Sequence, residues 1–237
     1  MNIGVIFAGG IGSRMSSANL PKQFLEIHGT PLIVHTIQHF QDHPEIDRVV
    51  VAIHPDWRDR FAHLVARFEL TKVNWIVDGG ATGQESRHRA LRAVANDCPE
   101  DAVVLIHDGV RPLIDAQLIS DNIRTVRELG SAITCTKGNE TIVSSSGRHI
   151  DEVLPRDFLY VAQAPQSLRL GTALDIYNRA VAEGEHDSID TATLLRRYGH
   201  ELFRVDGPRS NIKITTAEDY YICRAFFDVI ERNQIGG

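Results

Sequence analysis

Residues 4–17 run GVIFAGGIGSRMSS, and how that stretch is read decides the fold. An apolar run from Gly4 to Ala8 empties into Gly9, Gly10 and Gly12, and a cation follows at Arg14. An unbroken apolar run of this length is the pattern of a strand buried on both faces of a parallel sheet. In an open α/β sheet the glycine turn after the first strand is the natural phosphate site, because its backbone N–H groups can approach an anion closely. The turn is no Walker A loop, since GK[ST] is absent. GGIGSR also lacks the final glycine of the dinucleotide fingerprint, which disfavours a nicotinamide-dependent dehydrogenase.

Outward from this turn, strands and helices alternate. Pro31 to Phe40 predicts a helix, with Thr30 as its cap and Pro31 at its first position. Arg48 to Ile53 (RVVVAI) is a second buried strand and Trp57 to Phe68 a second helix. Val73 to Val77 is a third strand, Ser86 to Ala95 has helical spacing, and Ala102 to Ile106 (AVVLI) is a fourth strand ending in HDGVRP. Such alternation is the βαβ signature, with right-handed crossovers expected. In the second half, Ser131 to Thr136 predicts a strand. The polar stretch Gly138 to Gly147 and a return strand at Phe158 to Ala162 then suggest a hairpin or protruding arm. A helix near Leu170 to Glu183 follows, then another capped near Ser188 or Asp190. A short strand at Leu202 to Val205 comes next, and Asn211 to Thr215 predicts a strand leading into a last helix. There Tyr220, Cys223, Phe227 and Ile230 fall at core-packing spacing. The expectation is one α/β Rossmann-like domain over 1–237, with a mostly parallel central sheet and a β-arm at about 138–165.

Composition narrows the function classes. The 237 residues are 43% hydrophobic and 24% charged, with a formal net charge of −6. That balance argues against a nonspecific nucleic-acid binder. Cys98, Cys135 and Cys223 form no CxxC pair, which fits a reducing compartment without structural zinc, and no HExxH motif occurs. No apolar stretch approaches the roughly 18–20 residues of a membrane span. Neither membrane insertion nor a leader segment is expected, so the cytoplasm is the default location.

Three clusters carry chemistry. Arg14 and Lys22 place two cations beside the glycine turn, which suits a triphosphate whose leaving pyrophosphate needs neutralising. Asp108, at the edge of the fourth strand, is placed either to hold Mg²⁺ against phosphates or to cap a turn and pair with Arg111. Arg111 offers a planar fork for phosphate or carboxylate. Lys213 lies in an alternating stretch that turns Ile212 and Ile214 inward and the lysine outward. Ser86 has the position of a helix cap.

The run AGGxGxRM followed by PKQFLxIxGxPLIxHT resembles the nucleotidyltransferases that couple nucleoside triphosphates to sugar or alcohol phosphates. More narrowly it is similar to cytidylyltransferases of the methylerythritol-phosphate and ribitol-phosphate type, and the resemblance covers essentially the whole chain. It implies a turn of Ala8, Gly9, Gly10, Gly12 and Ser13 wrapped around the phosphates of CTP, with Arg14, Lys22 and Lys213 stabilising the transition state. It implies nucleotide contacts from Gly79, Gly80 and Ser86 in GGATGQES, where Gly83 stands in place of the usual arginine and weakens the loop's charge. From HDGVRP it implies Asp108 at the nucleotide and the Mg²⁺, and Arg111 at the acceptor. It further implies a homodimer in which one subunit's arm brings Thr141 and Arg156 to the partner's site, with Asp190 and Lys213 completing the acceptor contacts. Glu140 and Ala164 depart from the usual Asp and Thr. The segment PRDFLYVAQAPQSL and the ending NETIV favour D-ribitol 5-phosphate as the polyol phosphate over 2-C-methyl-D-erythritol 4-phosphate. A nucleotide-binding dimer without turnover is the non-enzyme alternative.

Overall fold

The computed structural model describes residues 1–9 and 20–235. Gly10, Gly12, Ser13 and Arg14 therefore lie outside the described residues. The chain begins with β1 (Asn2–Ala8), and a 3-10 turn at Lys22–Phe24 precedes the small pair β2 (Glu26–Ile27) and β3 (Thr30–Pro31). Then come α1 (Leu32–Asp42), β4 (Arg48–Ile53), α2 (Arg58–Arg67), β5 (Val73–Asp78), α3 (Gly83–Val94), β6 (Val103–Asp108) and α4 (Ala116–Leu129). The second half holds β7 (Ser131–Lys137), β8 (Val143–Ser146), β9 (His149–Val153), β10 (Tyr160–Arg169), α5 (Leu170–Ala182), α6 (Thr191–Arg197), β11 (Arg204–Asp206) and α7 (Ala217–Ile235).

Seven strands make one sheet in the order β11-β7-β10-β6-β1-β4-β5. All pairings are parallel except those of β10, which runs antiparallel to both β6 and β7. The apolar runs do what continuous runs should: Ile6, Val49, Val51 and Leu105 pack against α1, α2 and α4 on one face. Ile3, Val5, Val50 and Val104 pack against α3, α5 and α6 on the other. Buried on both faces, these strands have no solvated side to mark with polar residues. Chain order reverses at β1, since β4 and β5 lie to one side and β6 to the other. That is the switch point at which open α/β sheets bind ligands, outside the carboxyl ends of the strands. Because β10 is antiparallel, its early residues reach this same edge, with Gln166 beside Ile106.

Several local expectations shift. Thr30 does not cap α1: Thr30 and Pro31 pair with β2, and Pro31 takes the cap position with no side-chain hydrogen bond. The second helix is preceded by a 3-10 turn, Pro55–Trp57. Thr82, not Ser86, caps α3, accepting from the Glu85 N–H at 3.1 Å. Asn211–Thr215 is no strand, because its backbone groups are spent elsewhere: Arg111 donates to the Asn211 carbonyl and Ile214 N–H donates to Val110. The alternation survives without the ladder, with Ile214 fully buried and Lys213 open. In α7, Cys223 is buried and Tyr220 and Phe227 pack against the core, whereas Ile230 is exposed.

The arm exists as a ribbon of β8 and β9, every residue of which is exposed. Its return is longer than the sequence suggests. After a 3-10 turn at Arg156–Phe158, β10 runs from the arm's base into the sheet, its pairing with β7 shifting register between Ala162 and Gln166.

Candidate active site

At the carboxyl edge of the sheet, β1 and β5 hand over to glycines that touch. A Cβ on Gly79 would lie 2.9 Å from the Gly9 Cα, and one on Gly9 would lie 2.6 Å from the Ser86 Oγ. Both positions therefore require glycine for close backbone approach. Ser86, buried in the first turns of α3, fastens this corner: its Oγ accepts from Gly80 N–H and donates to the Thr82 carbonyl, each at 2.9 Å. Gln23 donates to the Ala8 carbonyl at 2.9 Å and ties the Lys22–Phe24 turn to the end of β1. These groups border a first pocket of about 180 Å³, lined by Ala8, Gly9, Lys22, Gly80, Ser86, Asp108 and Lys213 among others.

β6 ends in the most charged corner. Asp108 accepts from Arg111 Nε at 2.8 Å through one oxygen and pairs with Lys213 Nζ at 2.6 Å through the other. Burial of its carboxyl opposes ionisation, but Lys213 and Arg111 outweigh that cost and hold it well below the usual carboxylate range. Arg111 also donates to the Asn211 carbonyl at 2.8 Å, and this bond draws the Lys213 segment over the strand end. Next to it, His107 donates from Nε2 to the Arg111 carbonyl, while burial pushes its pKa down to about 4. The ring is neutral and braces the turn from below.

A second pocket of about 160 Å³ adjoins the first and shares Phe7, Asp108 and Lys213 with it. Arg87, Arg111, Gln166, Asp190 and Thr191 also line it. Asp190 caps α6 by accepting from Thr193 N–H at 2.8 Å, and Gln166 donates to its other oxygen at 2.9 Å. Burial of Asp190 opposes ionisation, yet these hydrogen bonds hold its pKa below the ordinary value.

The sequence expectations thus divide. Ala8, Gly9, Lys22, Gly80, Ser86, Asp108 and Lys213 come together at one pocket, and Arg111, Asp190, Asp108 and Lys213 at the next. Gly79 touches Gly9 but lines neither pocket. Thr141 and Arg156 line neither pocket of their own chain; both are exposed on the arm. Asp108 does pair with Arg111, as its turn position allows, and the lysine joins it. Sequence reasoning passed over Arg87, which carries no motif at all.

The family model described as IspD, 2-C-methyl-D-erythritol 4-phosphate cytidylyltransferase, matches residues 3–228. Over its whole length the chain is 50% identical to the whole of a ribitol-5-phosphate cytidylyltransferase of Streptococcus agalactiae serotype Ia. It is 38% identical, again with both chains covered completely, to a protein of that name from Vibrio parahaemolyticus serotype O3:K6. Among solved structures, 4-diphosphocytidyl-2C-methyl-D-erythritol synthase from Anaerococcus prevotii superposes with a TM-score of 0.83 at 27% identity, covering 96% of each chain.

Proposed function

Since the chain belongs to the IspD family of cytidylyltransferases, we propose that it transfers CMP from CTP to D-ribitol 5-phosphate, giving CDP-ribitol and pyrophosphate. The observation that carries this reading is the pair of adjoining pockets with Asp108 and Lys213 in their common wall. One pocket has the glycines and the lysine suited to a triphosphate, and the other has arginine, amide and carboxylate groups suited to a phosphorylated polyol. A common wall lets two substrates meet without leaving their sites.

The chemistry is in-line attack by an acceptor phosphate oxygen on the α-phosphorus of CTP. A new P–O bond forms, the bond from the α-phosphorus to the bridging oxygen breaks, and its electron pair leaves with pyrophosphate. No proton need be moved and no covalent enzyme intermediate is required, so the protein's work is positioning and charge stabilisation. Lys22 lies on the nucleotide side and meets the departing phosphates. Lys213, 42% exposed and paired with Asp108, stands where attacking and leaving groups are both within reach. Asp108 and Arg111 hold one another and so fix the lysine; Arg14, outside the described residues, would serve the same triphosphate by the resemblance of its motif. Asp190 shapes the acceptor side through its hold on Gln166 and α6.

A divalent cation fits the donor chemistry. Mg²⁺ is ordinarily held by one or two carboxylates with substrate phosphates and water, and Asp108 is the carboxylate bordering both pockets. Among the described residues no cluster of three or more His, Cys, Asp or Glu stands ready to hold a metal by itself, so the phosphates would complete the site. When bound, Mg²⁺ would neutralise phosphate charge beside Asp108.

The arm supplies the remaining contacts in this reading. Val143, Ile150, Val153 and Phe158 are 41%, 56%, 61% and 83% exposed, and an isolated two-stranded ribbon is marginal in water. A homodimer that covers the arm and carries Thr141 and Arg156 into the partner's acceptor pocket accounts for both facts. No helix among the described residues is long and apolar enough to cross a membrane, which accords with a cytoplasmic enzyme acting on small charged substrates. The test is pyrophosphate release from CTP with Mg²⁺ and each of two acceptors. Release with D-ribitol 5-phosphate supports the reading. Release with 2-C-methyl-D-erythritol 4-phosphate alone replaces the acceptor, and tight CTP binding with no release under either condition sinks the enzyme reading.

A further inference from the structure

Arg87 is only 4% exposed, a buried cation with no carboxylate at ion-pair distance among the described residues. It sits in α3, one helical turn beyond Gly83, so positions 83 and 87 share a helix face. Its Nε donates to the Tyr177 hydroxyl at 2.8 Å and its Nη2 to the Ser188 carbonyl at 2.9 Å. The guanidinium carbon lies 5.2 Å from the centre of the Phe7 ring. The other terminal nitrogen, Nη1, has no protein acceptor among the described residues. It comes within 3.4 Å of the point where a Cβ on Gly83 would stand. Asp190 feels the arginine's field, but its oxygens are already committed to Thr193 and Gln166.

A buried charge left without a counter-ion is costly, and the cost is removed if a ligand brings the anion. Arg87 lines the second pocket and not the first. The geometry points to Arg87 as a specificity-determining contact to the acceptor, a polyol phosphate. This assignment rests on the two pockets being nucleotide and acceptor sites.

The test is steady-state kinetics on two variants with CTP and D-ribitol 5-phosphate varied in turn. Arg87→Met is expected to raise the acceptor KM by roughly 10–100-fold, the range for losing one charge-assisted hydrogen bond, with the CTP KM within about threefold. Tyr177→Phe removes a tie that holds the arginine but keeps its charge, and should leave the acceptor KM within about threefold. An unchanged acceptor KM in Arg87→Met overturns the assignment, as does an equal rise in Tyr177→Phe, which would make the arginine merely structural. If Arg87→Met does not fold, Arg87→Lys decides: a rise confined to the acceptor KM supports the assignment and an unchanged one overturns it. Absence of turnover by the wild-type enzyme with any polyol phosphate would instead defeat the functional reading and the assignment with it.

Discussion

Asp108 and Val153 each end a strand, yet Asp108 is gripped by Arg111 and Lys213 in the cleft while Val153 lies 61% exposed on the arm. The cleft is assembled from turns whose polar groups find partners within one chain: Ser86 with Gly80 and Thr82, Gln166 with Asp190, Arg111 with Asn211. Such groups are held before any substrate arrives, which is what positioning catalysis requires. Among the described residues, the arm's Val143, Ile150, Val153 and Phe158 are left exposed. The described cleft groups are held within one chain, whereas on the proposed reading the arm would act against a second surface. Perturbing the two regions should therefore have different signatures.

The largest effect should come from the cleft. Lys22→Ala and Lys213→Ala are each expected to lower kcat by roughly 10²–10³-fold, the loss seen when one preorganised donor is removed. Since Arg111 still pairs with Asp108, Lys213→Ala should keep its fold, which circular dichroism would verify. Wild-type turnover by both variants would show that the cleft is not where the work is done.

Next comes the division of labour between subunits. Arg156→Ala and Lys213→Ala enzymes should each be impaired alone. If the arm serves the partner's pocket, mixing and re-equilibrating them creates hybrids in which one of the two sites has both side chains intact. Activity should then rise toward about a quarter of wild type, the share of intact sites under random pairing. No recovery in a mixture proven to exchange subunits would mean that the arm acts on its own chain or not at all.

The smallest expected effect is on stability. Burial lowers the pKa of His35, His39 and His107, the last to about 4. His107 is neutral in the fold over this range, so below its unfolded value near 6.5 the unfolded chain binds more protons and stability falls as pH is lowered toward 4, and the lowered values of His35 and His39 act in the same direction. The Asp108 contribution has the same direction at lower pH: its folded pKa is depressed, so its stabilisation is present above about 4 and is lost below that. Calorimetry should show Tm falling between pH 6.5 and 4. His107→Gln should flatten the slope by on the order of 1 kcal/mol per pH unit. An unaltered slope would mean that His107 is not neutral in the fold.

Much of this was legible in the sequence, for reasons the structure makes plain. Continuous apolar runs and glycine turns declare a parallel sheet and its switch point, because both are local patterns with few alternative uses. Asp108, Lys22 and Ser86 could be named because they stand within a few residues of those turns. Lys213 was placed by resemblance, and its assigned strand failed because the Asn211 carbonyl is claimed by Arg111, about 100 residues away in the chain. Thr30 failed as a cap because a short pairing with β2 took it first. Arg87 left no sign, since an arginine in a helix is usually a solvated surface residue, and only packing against Phe7, Tyr177 and Ser188 makes it a buried one. What the sequence hides here is long-range competition for hydrogen bonds.

The central claim is direct transfer between two adjoining pockets across the Asp108–Lys213 wall. It is tested most directly by the stereochemistry at the transferred phosphorus, using CTP with one α-phosphate oxygen replaced by sulfur as a single diastereomer. A single in-line displacement predicts inversion of configuration in the cytidylyl product. Retention would demand two displacements through a covalent cytidylyl-enzyme, and would contradict the account.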